Sequence, residues 1–161
     1  MVRKAETKDL NELVRIYESA RNFMHTHGNP NQWAGAYPDR ETLERDIEIG
    51  QLYVIEENGE IYGCFALIFG TDPTYVTIYD GSWKSDTPYA AIHRIASDRT
   101  RKGVFSRCLE FARERYNHLR VDTHKDNIPM QSAALKNGFE YCGIIHLANG
   151  DPRLAYEWIG E

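Results

Sequence analysis

Short apolar runs alternating with helical repeats predict a mixed α/β fold over residues 1–161, with a mostly antiparallel central sheet. Three observations carry that expectation. Leu52-Tyr53-Val54-Ile55 and Ile61 to Phe69 flank Asn58-Gly59, a strong hairpin signal. Leu10, Leu13, Val14, Tyr17, Ala20 and Met24 recur at helical spacing. Ala90 to Thr123 reads strand, helix, strand, a plausible parallel unit.

In chain order, a strand at Val2–Ala5 precedes a helix that Thr7 can cap, ending near Gly28 before Asn29-Pro30. Residues 29–38 (NPNQWAGAYP) read as a loop, and Asp39 to Ile49 as a second helix with Leu43 and Ile47 inward. The hairpin follows, and Tyr75 to Tyr79 forms a further candidate strand. Ala90 to Ser97 is a strand, and Val104, Cys108, Leu109, Ala112 and Tyr116 mark one helical face. Leu119–Thr123 is a short strand. Pro129 suits the first turn of a helix that runs to Asn137 and stops at Gly138. The strands Tyr141–Leu147 and Leu154–Ile159 flank Asn149-Gly150-Asp151. No repeat, low-complexity tract or linker divides the chain, so one domain is expected.

An apolar fraction of 42% and an aromatic fraction of 12% suit a folded globular chain. The formal charge of −5 argues against nucleic-acid binding, which needs a basic face, but leaves room for a local anion site. Cys64, Cys108 and Cys142 are widely spaced and form no CxxC or disulfide framework, so buried thiols in a reducing compartment are expected. The charged start MVRKAETKDLNELV is unlike a signal peptide, and no run approaches the ~20 apolar residues of a membrane span. A cytoplasmic protein with no membrane partner is the expectation.

The segment HRIASDRTRKGVFSRCLEFARERY, His93 to Tyr116, passes from strand to helix through a loop with three basic residues and one glycine. Unpaired N–H groups at a helix start, together with the helix dipole, favour a phosphate there, and Gly103 lets the backbone approach closely. The plain alternative is a turn with a solvated basic face. Downstream, VDTHKDNIPMQSAALKNGFEYCGI places Asn127 after a strand, then a helix, then Gly138-Phe139. With these two signatures in this order, the chain resembles the Gcn5-related N-acetyltransferase (GNAT) family along essentially its whole length. The resemblance implies an acyl-CoA acyltransferase fold with helices on both faces of the sheet, and acetyl-CoA as cosubstrate.

It also implies where that cosubstrate lies. Ile95, Ala96 and Ser97 would line the pantetheine arm, with backbone groups of Ile95 and Ser97 pairing with its amides. Arg101, Lys102, Gly103, Val104, Phe105 and Ser106 would surround the pyrophosphate, and Asn127 would meet the arm from the next strand. The family splays the sheet between those two strands, and the thioester lies in the opening. Thr100 and Phe105 depart from the family's usual loop residues, and Ala134 stands where many members carry a tyrosine acid, so that role is not transferred.

Acetyl transfer to an amine needs a proton acceptor, a donor to the oxyanion and stabilisation of the thiolate. His93, in the central strand, is the candidate base, directly or through water, since a free imidazole titrates near ~6.5; the alternative is a packed strand histidine. Tyr141 is the other catalytic candidate. His124 reads as a surface histidine, and Asp122 and Asp126 as solvated or turn-forming. His25 and His27 do not share a helix face, and no metal site is expected. Phe23, Met24, Gln32, Trp33 and Tyr37 cluster where the family builds its acceptor wall. Met24, Trp33, Tyr37 and Trp83 are the substrate-binding candidates, unless they plug the sheet instead. The acceptor expected is a primary amine on a small molecule or peptide. The rival is a non-catalytic CoA-binding or protein-interaction module, and the final strands could supply an edge for a homodimer.

Overall fold

The computed structural model describes residues 1–161. Its strands are β1 (Val2–Lys4), β2 (Leu52–Glu57), β3 (Glu60–Phe69), β4 (Ala90–Ser97), β5 (His118–Thr123), β6 (Glu140–His146) and β7 (Pro152–Ile159). Its α-helices are α1 (Leu10–Thr26), α2 (Arg40–Ile49), α3 (Val104–Arg113) and α4 (Ile128–Lys136). The strands form one sheet in the order β1-β2-β3-β4-β5-β7-β6, antiparallel at every pairing except β4–β5. The mixed, mostly antiparallel fold class is as the sequence predicts. No helix is long and apolar enough to cross a membrane.

Local signals act largely where the sequence places them. Asn58 and Gly59 both adopt positive φ, 54° and 79°, as a tight hairpin turn requires. Asp39 caps α2, accepting from Thr42 N. Asn127 caps α4 with Pro129 in its first turn. Two expectations fail. A 3-10 turn, Thr7–Asp9, precedes α1, and its capping acceptor is Asp9, which takes the Glu6 N–H at 2.8 Å and is held by Arg3; Thr7 is not the cap. Residues 75–79 form no strand. Asp72 caps a 3-10 turn at Pro73–Tyr75, where Pro73 has no N–H to give a ladder, and only Tyr79 bridges to Ile144.

The sheet separates the two helical layers. On one face Val104, Cys108, Leu109 and Ala112 of α3 and Ala134 of α4 meet Phe65, Leu67, Ile92, Leu119 and Val121. On the other, Leu13, Ile16 and Tyr17 of α1 and Leu43 of α2 meet Leu52, Val54, Cys64 and Ala96. Leu13, Ile16 and Leu43 are fully buried, each worth about 1.5–3 kcal/mol relative to exposure. The β5–β7–β6 half of this second face lacks a helix. The segment between β3 and β4 covers it, with Tyr75 and Tyr89 packed on Ala91, Ile145 and Ala155.

Two irregularities in β4 prepare a site. β4 and β5 pair only at Ala90↔Leu119 and Ala91↔Arg120, then diverge, so the rest of β4 is unpaired on that side. The β3–β4 register slips between Cys64 and Ala66, and Arg94 sits at φ 53°. A left-handed non-glycine residue costs of order 1–3 kcal/mol and needs surroundings that hold it. Here the Tyr17 hydroxyl donates to Arg94 O at 2.6 Å, and the Arg94 guanidinium clasps both oxygens of Asp46 at 2.9 and 3.0 Å.

Candidate active site

The divergence of β4 and β5 opens into a cleft of about 660 Å³ between the two coverings of that sheet face. Met24, Trp33 and Tyr37 line one side, Asp72 and Thr74 the other, and His93 and Asp122 lie between them. Asp72 comes from the cap of the 3-10 turn, His93 from β4 and Asp122 from β5.

His93 is the centre of a polar cluster. Its Nε2 lies 2.8 Å from Asp72 Oδ2, and its Nδ1 faces Asp122 Oδ2 at 3.8 Å. The buried Tyr75 hydroxyl donates to the same Asp122 oxygen at 2.5 Å. Burial by itself would raise the Asp72 carboxyl, but hydrogen bonds from His93 and from Thr74 override it and bring Asp72 to about 2. An ionised Asp72 can only accept, so the shared proton is on Nε2. Nδ1 is then the ring nitrogen left to take a proton, and it faces Asp122. Burial, followed by the charge of Asp122, pushes the Tyr75 phenol well above its ordinary range, so it stays a donor.

One loop residue, Gln32, ties the cleft wall to the sheet. Its Oε1 accepts from Asn127 Nδ2 at 2.9 Å, from Asn29 Nδ2 at 2.9 Å and from Thr123 Oγ1 at 3.2 Å. Trp33 beside it is buried against Tyr17, with ring centres 5.7 Å apart.

No protein-family model and no curated sequence matches this chain, but solved structures do. A GNAT-family acetyltransferase from Streptococcus agalactiae is 32% identical with a TM-score of 0.89, the match covering 100% of this chain and 95% of that one. The chain belongs to the GNAT family of acetyltransferases. A putative acetyltransferase from Staphylococcus aureus is 25% identical at a TM-score of 0.70, covering 99% of this chain and 98% of that one. A GNAT-family acetyltransferase from Bacillus cereus shares the fold at 22% identity and a TM-score of 0.65, covering 100% and 97%.

Within this GNAT chain, the residues singled out from the sequence fall into three groups. His93, Ile95, Asn127, Met24, Trp33 and Tyr37 meet in the cleft. Asn127 is already engaged there, capping α4 with Oδ1 and donating to Gln32. Ala96 is buried opposite Cys64, and Ser97 pairs with Gly63 while its Oγ accepts from Arg99 N. The second group is the loop at the far end of β4. Gly103, at φ 85°, begins α3 and has open space where a side chain would project. Lys102, Gly103 and Ser106 are exposed, whereas Val104 is buried against Gly63 and Phe105 is half-buried against the α3 core. Arg101 is engaged by Glu57 at 3.7 Å and Glu60 at 3.4 Å, and Arg99 lies over the Phe23 ring.

The third group is not brought to the cleft. Tyr141 stands exposed on β6, edge-on to Tyr156, with no contact to His93. Trp83 packs against Tyr75 and over Arg120, outside the cleft lining, its Nε1 donating to Tyr75 O. Of the residues read as solvated, Asp122 does line the cleft, but its side chain is only 11% exposed and is bonded to Tyr75, and His124 is largely buried, its Nδ1 accepting from Asp126 N. The sequence marks Tyr75 only as the start of a candidate strand and Asp72 not at all, because both lie in an aperiodic segment. The one available signal was Asp-Pro-Thr at 72–74, a helix-cap pattern that locates a turn but not what the turn faces.

Proposed function

We propose that this chain transfers the acetyl group of acetyl-CoA to a primary amine of a small molecule or peptide, by direct attack in a ternary complex, in the cytoplasm. The observation that carries the reading is the juxtaposition of the β4–β5 opening with His93 and its two carboxylates. A pantetheine arm laid along the unpaired side of β4 would extend the sheet and bring a thioester into that opening. The N–H groups at the start of α3, with exposed Lys102 and the open side of Gly103, supply what a pyrophosphate needs. The amine is then held beside the thioester, and orientation supplies much of the acceleration. As the C–N bond forms and the C–S bond breaks, the C–S electron pair leaves with sulfur as the CoA thiolate, and the amine proton passes to His93 Nδ1. Asp72 holds the ring in the tautomer that can take it, and Asp122 stabilises the resulting imidazolium. All three cysteines are buried free thiols, which suits a reducing compartment and direct transfer with no enzyme-bound acetyl group.

Calorimetric titration with acetyl-CoA, free CoA and ATP tests the reading. One-site binding that prefers the acetylated form, with thiol release on adding amine, supports it. Gly103→Glu puts a carboxylate where phosphate is expected and should abolish binding; unchanged affinity would move the site elsewhere. Binding with no thiol release for any amine would favour the non-catalytic alternative.

A further inference from the structure

The charged groups around the cleft do not all find partners within the protein. Arg94 has Asp46, Asp72 has His93, and Asp122 has the Tyr75 hydroxyl. Asp151 also lines the cleft without an ion pair, but it is exposed and accepts from Asn149 Nδ2 at 3.2 Å. Arg153 on β7 is the buried charge left without a counter-ion. It is 5% exposed and lines the cleft, yet no carboxylate lies within the 4.0 Å of an ion pair. Its two hydrogen bonds go to backbone carbonyls, Pro152 O at 2.9 Å and Gln32 O at 3.0 Å. Burial pulls the guanidinium below its ordinary pKa, and the more distant Asp122 and Asp151 only oppose that pull. A desolvated cation without a counter-ion is a cost the fold carries. A ligand carboxylate would offset it, because guanidinium and carboxylate match in a planar, charge-assisted fork.

Arg153 also stands in the right relation to His93. Asp122 pairs with Ala155 across β5 and β7, and Arg153 is two residues along from Ala155. Side chains two apart on a strand share a face, so Arg153 rises from the same sheet face as Asp122 and its neighbour His93. The cleft therefore offers a proton acceptor toward β4 and an unmatched cation toward β7, with the apolar side chains of Met24 and Trp33 along one wall.

We propose that the acceptor is an amino-carboxylate, bound with its amine at His93 and its carboxylate on Arg153. This rests on the acetyl-transfer reading and narrows its substrate class. It excludes amines whose only charge is the amine itself and peptides that offer no carboxylate near it.

The experiment separates this proposal from the reading beneath it. The chain saturated with CoA is titrated calorimetrically with L-leucine, L-methionine and 4-aminobutyrate, each against its carboxamide. The carboxylates should bind at least about tenfold more tightly, since the carboxamide cannot form the charge-assisted fork with the guanidinium. Arg153→Gln should erase the difference by weakening only the carboxylates, and Arg153→Lys should keep part of it. Equal or tighter binding of the carboxamides, or no binding of any carboxylate, overturns the proposal. So does thiol release from acetyl-CoA confined to amines without a carboxylate, a result that leaves acetyl transfer standing. Failure of acetyl-CoA itself to bind sinks acetyl transfer, and the carboxylate–carboxamide comparison still decides what Arg153 recognises. Should Arg153→Gln not fold, the unmodified chain and Arg153→Lys carry the test.

Discussion

Two histidine–carboxylate pairs lie on the same sheet face, and their surroundings give them opposite uses. His118 Nε2 meets Glu157 at 2.6 Å, and Glu157 also accepts from Arg120 Nε at 2.9 Å and Lys84 N at 2.7 Å. Arg120 is enclosed between Trp83 and Tyr89, its guanidinium carbon 3.9 and 4.1 Å from the ring centres. Every charge there is matched and His118 and Glu157 are sealed from solvent. The pair His93–Asp72 has a similar bond length, 2.8 Å, but both side chains keep about a fifth of their surface open, and the second imidazole nitrogen faces the cleft. A satisfied buried network holds a structure in one arrangement; a partly satisfied network at a cleft has bonding capacity left for a ligand. Residue type does not separate the two clusters, whereas access and leftover valence do.

Substitutions at either pair should have opposite consequences. Glu157→Leu should cost the most stability, about 3–5 kcal/mol, because it strands Arg120 as a buried charge without a partner. Urea unfolding checks this, and a loss below about 1 kcal/mol would show that the network is not the anchor of its segment. His93→Gln should do the reverse. Turnover with a competent amine should fall about 100-fold or more, with acetyl-CoA affinity nearly unchanged and stability within about 1 kcal/mol. An unchanged rate would return His93 to a packing role like that of His118.

A smaller effect is expected at Asp72. Asp72 sits near 2 in the folded chain against about 3.9 for a free carboxyl, so the unfolded chain takes up this proton first as pH falls. The stabilisation from Asp72 is therefore whole above pH ~4 and lost as pH drops toward 2. Thermal unfolding of the unmodified chain should fall more steeply across that window than unfolding of Asp72→Asn. Parallel curves would mean that the His93–Asp72 bond does not persist in solution.

Much of the fold was legible locally, because the local signals and the tertiary fold agree. The Asn58-Gly59 turn, the Asp39 and Asn127 caps and the α3 stripe of Val104, Cys108 and Ala112 each require only neighbouring residues to act. The segment at 70–89 was not legible in this way. Its role depends on Tyr75 and Tyr89 finding Ala91, Ile145 and Ala155 on strands that form later in the chain.

The strands and helices, the glycine at the start of α3, the family likeness and the candidacy of His93 are all readable from the residues alone. Tertiary structure alone decided the rest. It set Asp72 against His93 across a separation of 21 residues, took Asp122 out of solvent, left Tyr141 on the far edge and Arg153 without a counter-ion. The reason is physical. Turns and caps are decided by a few adjacent dihedral angles, whereas a site is a matter of which charges meet, and at what distance from water, once every strand has its place.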